Sequence, residues 1–276
     1  MLVITILLIA YMSYLIIKKI NFETAVFFII GLLSVEIVLT TRALNEIIDF
    51  IIAISASIAI LLKKDTNKNV GVVFFIVGSI TSFMDLLTEP LITLGLPLII
   101  YMLLMQKQRR AIKHDLIDFA KICFLWGMGY GLTWLMKWIL VSLIYNRDII
   151  HNALQQAKFR STGMKQYGYF TVVRKNFEFL SSFAISINLA LVIIYSIIKL
   201  IKNRNGKINI KQNLYTTIPF ICLGILPFIW YLALRQHSYI HTFFTYKILI
   251  ISIFIIVDKI LEPENKGNEN ERRKDY

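Results

Sequence analysis

The sequence predicts an all-α fold, a polytopic membrane helix bundle of about nine transmembrane helices, with the N-terminus outside and the C-terminus inside. Three observations carry this expectation. Of the 276 residues, 57% are apolar and 17% are charged. Apolar runs recur at close to the roughly 20 residues that a helix needs to cross a hydrocarbon core about 30 Å thick. Basic residues fall in short clusters in alternate connections, the pattern by which Lys and Arg retain loops on the cytoplasmic side. Thirty Lys and Arg against 17 Asp and Glu give a formal charge of +13, but placed between apolar runs they read as topology signals, and no nucleic-acid partner is expected. The composition also excludes a disordered chain, a disulfide scaffold and a soluble dinucleotide-binding enzyme. Cys123 and Cys222 lie inside apolar runs as small hydrophobes, and two cysteines build neither a redox nor a zinc framework.

The first span covers about residues 2–17. No positive charge precedes Leu2, no small-residue cleavage site follows, and Lys18-Lys19 comes after the run, so it stays as a span and is not a cleaved signal. Spans at about 24–41, 46–62, 70–86, 90–106 and 116–145 follow. The connections with Lys18 and Lys19, with Lys63, Lys64 and Lys68, with Lys107, Arg109, Arg110 and Lys113, and with Lys202, Arg204, Lys207 and Lys211 are placed inside. The opposite short turns hold only Arg42 and Arg235. A longer outer connection, 147–178, carries Ile149, Ile150, Ala153, Leu154 and Ala157 at helical spacing, opposite Asp148, Asn152, Gln155, Gln156 and Lys158. It reads as an amphipathic helix on the outer leaflet, or as one packed on the bundle top with no lipid role. After a break at Ser161-Thr162-Gly163, a stripe of Phe170, Val173, Phe177 and Leu180 leads into a span at 179–199, and spans at 214–234 and 243–260 complete the bundle, residues 1–261. Beyond Pro263 the charged tail, 262–276, is expected to be disordered and cytoplasmic.

Ionisable residues converge on the outer face. Glu36 lies near the end of the second span, with Arg42, Asn45, Glu46 and Asp49 around the first outer turn. Asp85 and Glu89 flank the next, Lys137 sits near the outer end of the sixth span, and Arg235, His237 and His241 form the last. A charge within a span costs roughly 2.5–3.5 kcal/mol on insertion scales, so it usually meets a cavity or a partner. Solvated turns with ion pairs such as Glu36 with Arg42 are the plainer reading; Glu36, Asp49 and Lys137 are harder to explain that way.

The sharpest motif runs from Thr81 to Pro97. Pro90 suits a first helical turn with Thr88 as its cap, leaving free N–H groups at the outer surface for an anion such as a lipid phosphate. Asp85 and Glu89 would stand beside it as a base or as ligands for a divalent cation. A structural turn accounts for the Thr and the Pro but not for two carboxylates. In Arg235-Gln236-His237-Ser238-Tyr239-Ile240-His241, the two histidines share a helical face. Metal binding, hydrogen bonding of a sugar or phosphate, and interfacial anchoring are all open to them. Gly127 and Gly131 have the spacing of close helix packing.

Residues 82–97, the block from Trp126 to Trp138 and the segment His237 to His241 resemble a family of uncharacterised multipass membrane proteins of low-GC Gram-positive bacteria. These are in turn similar to the C-terminal part of GT-C-type glycosyltransferases, which take sugar from a polyprenyl-phosphate donor on the outer face. The resemblance spans roughly residues 70–250. Enzymes of that class carry an acidic motif in a large first outer loop, whereas the turn Thr41 to Asn45 is short. The expectation is therefore a portion of the fold, with a membrane protein partner supplying the missing N-terminal region. The resemblance implies an enzyme of cell-envelope glycan assembly with an envelope acceptor. Asp85 would be its base or metal partner and Glu89 its support, with Lys137, Arg235, His237, His241, Glu36 and Arg42 around the substrate. The alternatives are a transporter or flippase for a lipid-linked or anionic solute, with Glu36, Asp49 and Lys137 lining a path, and an inactive accessory subunit.

Overall fold

The computed structural model describes residues 1–85, 87–108, 112–162, 167–180 and 210–261, together with Ala190 and Ile194. These residues form helices and no strand. In chain order the helices are α1 (Leu2–Lys19), α2 (Phe22–Ser34), α3 (Ile37–Thr40), α4 (Leu44–Leu62), α5 (Val70–Met84), α6 (Leu91–Gln106), α7 (Ile112–Tyr145), α8 (Ile149–Thr162), α9 (Tyr169–Leu180), α10 (Ile210–Ala233), α11 (Arg235–Ile240) and α12 (Thr242–Thr245). A 3-10 turn (Tyr246–Leu249) then leads into α13 (Ile250–Leu261).

Among the described residues, three helices are long and apolar enough to cross a membrane: Leu2–Lys19, Leu44–Leu62 and Ile112–Tyr145. Shorter apolar helices cover Phe22–Ser34, Val70–Met84, Leu91–Gln106, Thr217–Ala233 and Thr242–Ile256. The span expected at 179–199 lies outside the described residues except for Phe179, Leu180, Ala190 and Ile194, as do the tail and the break at Gly163.

α6 is the axis of the bundle. Its apolar side chains are buried on every face, which is what a helix without a polar stripe requires. α4 packs along it, α1 packs against α4, α2 packs against α1, and α13 closes against α2, α6 and α10. α7 is different: of its 34 residues only Ile122, Trp126 and Gly129 are buried. At 1.5 Å per residue it is about 51 Å long, well beyond the hydrocarbon core.

Two sequence expectations change here. The run 24–41 is not one helix, because the chain breaks after Ser34 and Glu36 adopts a left-handed backbone, φ 55°. Ser34 Oγ donates back to the Ile30 carbonyl in the last turn of α2. Close helix packing is present, but Gly127 and Gly131 do not make it; both face open space. Gly78 on α5 and Gly129 on α7 do. A Cβ at Gly78 would collide with the Trp126 carbonyl and one at Gly129 with the Phe75 carbonyl, so backbone meets backbone. Ser79 Oγ, donating to the Gly129 carbonyl at 3.3 Å, ties the same crossing.

α8 forms where the amphipathic pattern predicts it and has no buried residue. It packs against α7 and α11, and Leu154 and Phe159 remain exposed. On α9 the buried stripe is Val172, Asn176 and Leu180, so of the predicted stripe only Leu180 is buried, while Phe170 and Phe177 point outward. The reason is Asn176, which turns inward to donate to the carbonyls of Val172 and Ser238 and to accept from Thr245 Oγ1.

Candidate functional site

The Thr81–Pro97 motif folds as a helix end, a buried loop and a helix start. α5 stops at Met84, Asp85 is extended, and Leu87 takes a left-handed backbone, φ 68°. α6 then begins after Pro90. Thr88 does not cap α6, whose first turn has no side-chain cap; Thr93 Oγ1 donates to the Pro90 carbonyl at 2.8 Å. Thr88 is turned instead toward acids. Its hydroxyl lies 2.5 Å from Asp85 Oδ1, 3.0 Å from Asp49 Oδ2 and 3.2 Å from the Asn45 carbonyl. Its N–H donates to Asp85 Oδ1 at 2.7 Å, and the Glu89 N–H reaches Asp49 Oδ2 at 3.4 Å. The helix start that could receive an outside anion is thus buried and faces a carboxylate of α4.

This arrangement is inside the bundle. Asp49 and Glu89 have no exposed surface, and Asp85 is 4% exposed. Asp49 Oδ1, Asp85 Oδ2 and both carboxyl oxygens of Glu89 are buried without a hydrogen-bond partner. Burial drives the Glu89 carboxyl well above the usual carboxylate range; the Lys247 ammonium opposes this, and the charges of Asp49, Glu46 and Asp85 add to it. Lys247 comes from the 3-10 turn, is itself buried, and pairs with Glu46 of α4. Beside it Tyr246 donates its hydroxyl to Glu36 Oε2 at 3.2 Å.

The other predicted residues divide. Lys137 donates to the Ser82 carbonyl at 2.6 Å and the Phe83 carbonyl at 3.3 Å, so its charge sits on the last turn of α5, where unpaired carbonyls favour a cation. Glu36 is half-buried and bonded to Tyr246; Arg42 is exposed and forms no ion pair with it. Arg235 lies over the Tyr169 ring, 4.4 Å from its centroid. His237 joins the site, because its Nε2–H donates to the Leu87 carbonyl at 2.7 Å. His241 is one turn on, with ring centroids 4.8 Å apart. Burial first, then Arg160 of α8, holds the His241 imidazole below its usual range. Among the described residues, no group of three or more His, Cys, Asp or Glu is arranged to hold a metal ion.

Sequence reading had Glu46 only as a turn residue and passed over Lys247, the hydroxyl role of Thr88, and Arg160. Lys247 had a usable signal, since it is the one charged residue between Thr242 and Val257, as Lys137 is between Ile122 and Tyr145. Thr88 and Arg160 had none, because Asp49, the second acid that Thr88 meets, and His241, on which the Arg160 charge acts, come from distant helices. Comparisons with protein-family models, with curated proteins and with solved structures found no match to this chain.

Proposed function

We propose that this is a multipass protein of the cell membrane, with its N-terminus outside, its C-terminus inside and about nine spans. We propose further that it works in cell-envelope glycan assembly, transferring a sugar from a polyprenyl-phosphate donor at the outer face. The observation that carries the reading is the gathering of Asp49, Asp85, Thr88 and Glu89 by α4 and the α5–α6 loop, with His237 bonded to that loop and Arg160 and Arg235 on neighbouring helices. In the transfer, an acceptor hydroxyl attacks the anomeric carbon as the bond to the phosphate oxygen breaks. The polyprenyl phosphate leaves with the bonding electrons, and the hydroxyl proton passes to Asp85. Arg160 and Arg235, neither held by a carbonyl or a carboxylate among the described residues, take the donor phosphate by charge-assisted hydrogen bonds. The resemblance of residues 82–97 and 237–241 to the glycosyltransferase-like family supports the same reading.

The test is an Asp85→Asn strain. An amide keeps the shape and removes the base, so envelope sugar modification should be lost at an unchanged level of folded protein. Unaltered envelope sugar would overturn the reading. A second reading, a transporter or flippase for a lipid-linked or anionic solute, is favoured by the complete burial of Asp49 and Glu89 within the bundle. On that reading Asp49→Asn abolishes solute movement, and envelope sugar changes only through loss of the transported lipid.

A further inference from the structure

We propose that Asp49 and Asp85 form a proton-binding site, holding one exchangeable proton between them through the Thr88 hydroxyl, beside a Glu89 that is also protonated. The inference stands on the geometry of the cluster and does not depend on which reading of the function is correct.

The first argument is a count of hydrogens. Thr88 Oγ1 sits within hydrogen-bond reach of Asp85 Oδ1 at 2.5 Å and of Asp49 Oδ2 at 3.0 Å. A hydroxyl has one hydrogen, so it donates to one carboxylate only. Were both acids ionised, the second carboxylate would face the hydroxyl lone pairs, oxygen against oxygen. With one carboxyl protonated, it donates to Oγ1 while Oγ1 donates to the other, and both carboxyl contacts have a hydrogen, leaving without one only the longer approach of the Asn45 carbonyl at 3.2 Å.

The second argument is independent of Thr88. Glu89 is completely buried, and neither of its carboxyl oxygens has a hydrogen-bond partner. An ionised carboxylate without a donor is the costliest group a protein interior can hold, and it takes up a proton instead. The buried cation that faces it, Lys247, is already paired with Glu46.

The charges around the pair favour this assignment. Glu46 and Asp49 come from α4, Asp85 and Glu89 from the α5–α6 loop, and Lys247 from the 3-10 turn, so four carboxyl groups meet one ammonium. Tyr130 and Lys137 face the site from α7, and the Lys137 ammonium is bonded to the Ser82 and Phe83 carbonyls, not to an acid. His237, reaching the loop from α11, is held neutral by its burial. One proton shared by Asp49 and Asp85 leaves the pair with a single negative charge. It can therefore release that proton, or accept another from a reacting hydroxyl or a moving solute.

The test is infrared spectroscopy of the full-length protein in lipid nanodiscs at neutral pH. Protonated carboxyl groups give a carbonyl-stretch band that ionised ones lack, and deuterium exchange shifts it. The wild type should show this band. Its hydrogen-bonded component should vanish in Asp49→Asn and in Asp85→Asn, shift in Thr88→Val, and persist in Thr88→Ser and Glu89→Gln. The wild-type spectrum needs no variant to fold, and absence of any protonated-carboxyl band there would overturn the site. Persistence of the hydrogen-bonded component in both Asp variants, or its loss in Glu89→Gln, would overturn the sharing.

Discussion

His237 holds the carbonyl of Leu87 through its Nε2–H at 2.7 Å, joining α11 to a loop 150 residues earlier in the chain. Leu87 pays for its place with a left-handed backbone that costs a non-glycine residue roughly 1 kcal/mol or more. The bond fixes that strained turn, and the turn in turn sets Asp85 and Thr88 against Asp49. Burial first, then the neighbouring His241, lowers the His237 pKa to about 4.

That shift has a sign in stability. Between about pH 4 and the unfolded value of roughly 6.5, the unfolded chain binds a proton at His237 and the folded chain does not. Stability is therefore complete above the unfolded value and declines as pH falls toward the folded one, by up to about 1.4 kcal/mol per pH unit. Thermal unfolding of detergent-solubilised protein across this window should show the decline. His237→Gln, which keeps a donor and cannot titrate, should flatten it, and an equal slope in that variant would refute the assignment.

The α5–α7 crossing separates two pairs of glycines. Gly78→Ala and Gly129→Ala each push a methyl into the opposite backbone, and overpacking of this kind costs about 1–3 kcal/mol. Gly127→Ala and Gly131→Ala meet open space and should be neutral or stabilising by up to about 1 kcal/mol. Melting temperatures of the four variants decide the matter, and equal losses in all four would contradict the packing.

Lys247 and Glu46 form a buried pair between the 3-10 turn and α4. Removing one member leaves an uncompensated charge, so Lys247→Met should destabilise by about 3–5 kcal/mol. The double variant with Glu46→Gln should recover most of that. A double-mutant cycle in chemical denaturation measures the coupling, and strictly additive losses would mean that the two groups do not interact.

The helical class and the positions of most helices were legible because apolar runs of fixed length are written directly in the chain. The break at Glu36 was not: nothing local marks it, and the Tyr246 hydroxyl that meets Glu36 comes from 210 residues later. The glycines show the same limit, since the spacing of Gly127 and Gly131 is a property of one helix while the crossing needs Gly78 on another. For the site, the rule that charges in apolar runs need partners singled out Glu36, Asp49 and Lys137. It could not foresee that Lys137 would spend its charge on α5 carbonyls, or that Thr88 would bridge two acids where its position before Pro90 predicted a helix cap.

The account places the acidic cluster at the outer end of α4, and the two ends of that helix offer the most direct test. Asn45 is exposed at one end and Lys68 lies in the connection beyond the other. In a background with Cys123 and Cys222 replaced by Ser, Asn45→Cys and Lys68→Cys should be probed in intact cells with a membrane-impermeant maleimide. The account predicts labelling of Asn45→Cys from outside and of Lys68→Cys only after permeabilisation. Labelling in the reverse order would put Asp49, Asp85 and Glu89 on the cytoplasmic side and contradict a site that acts on the cell envelope.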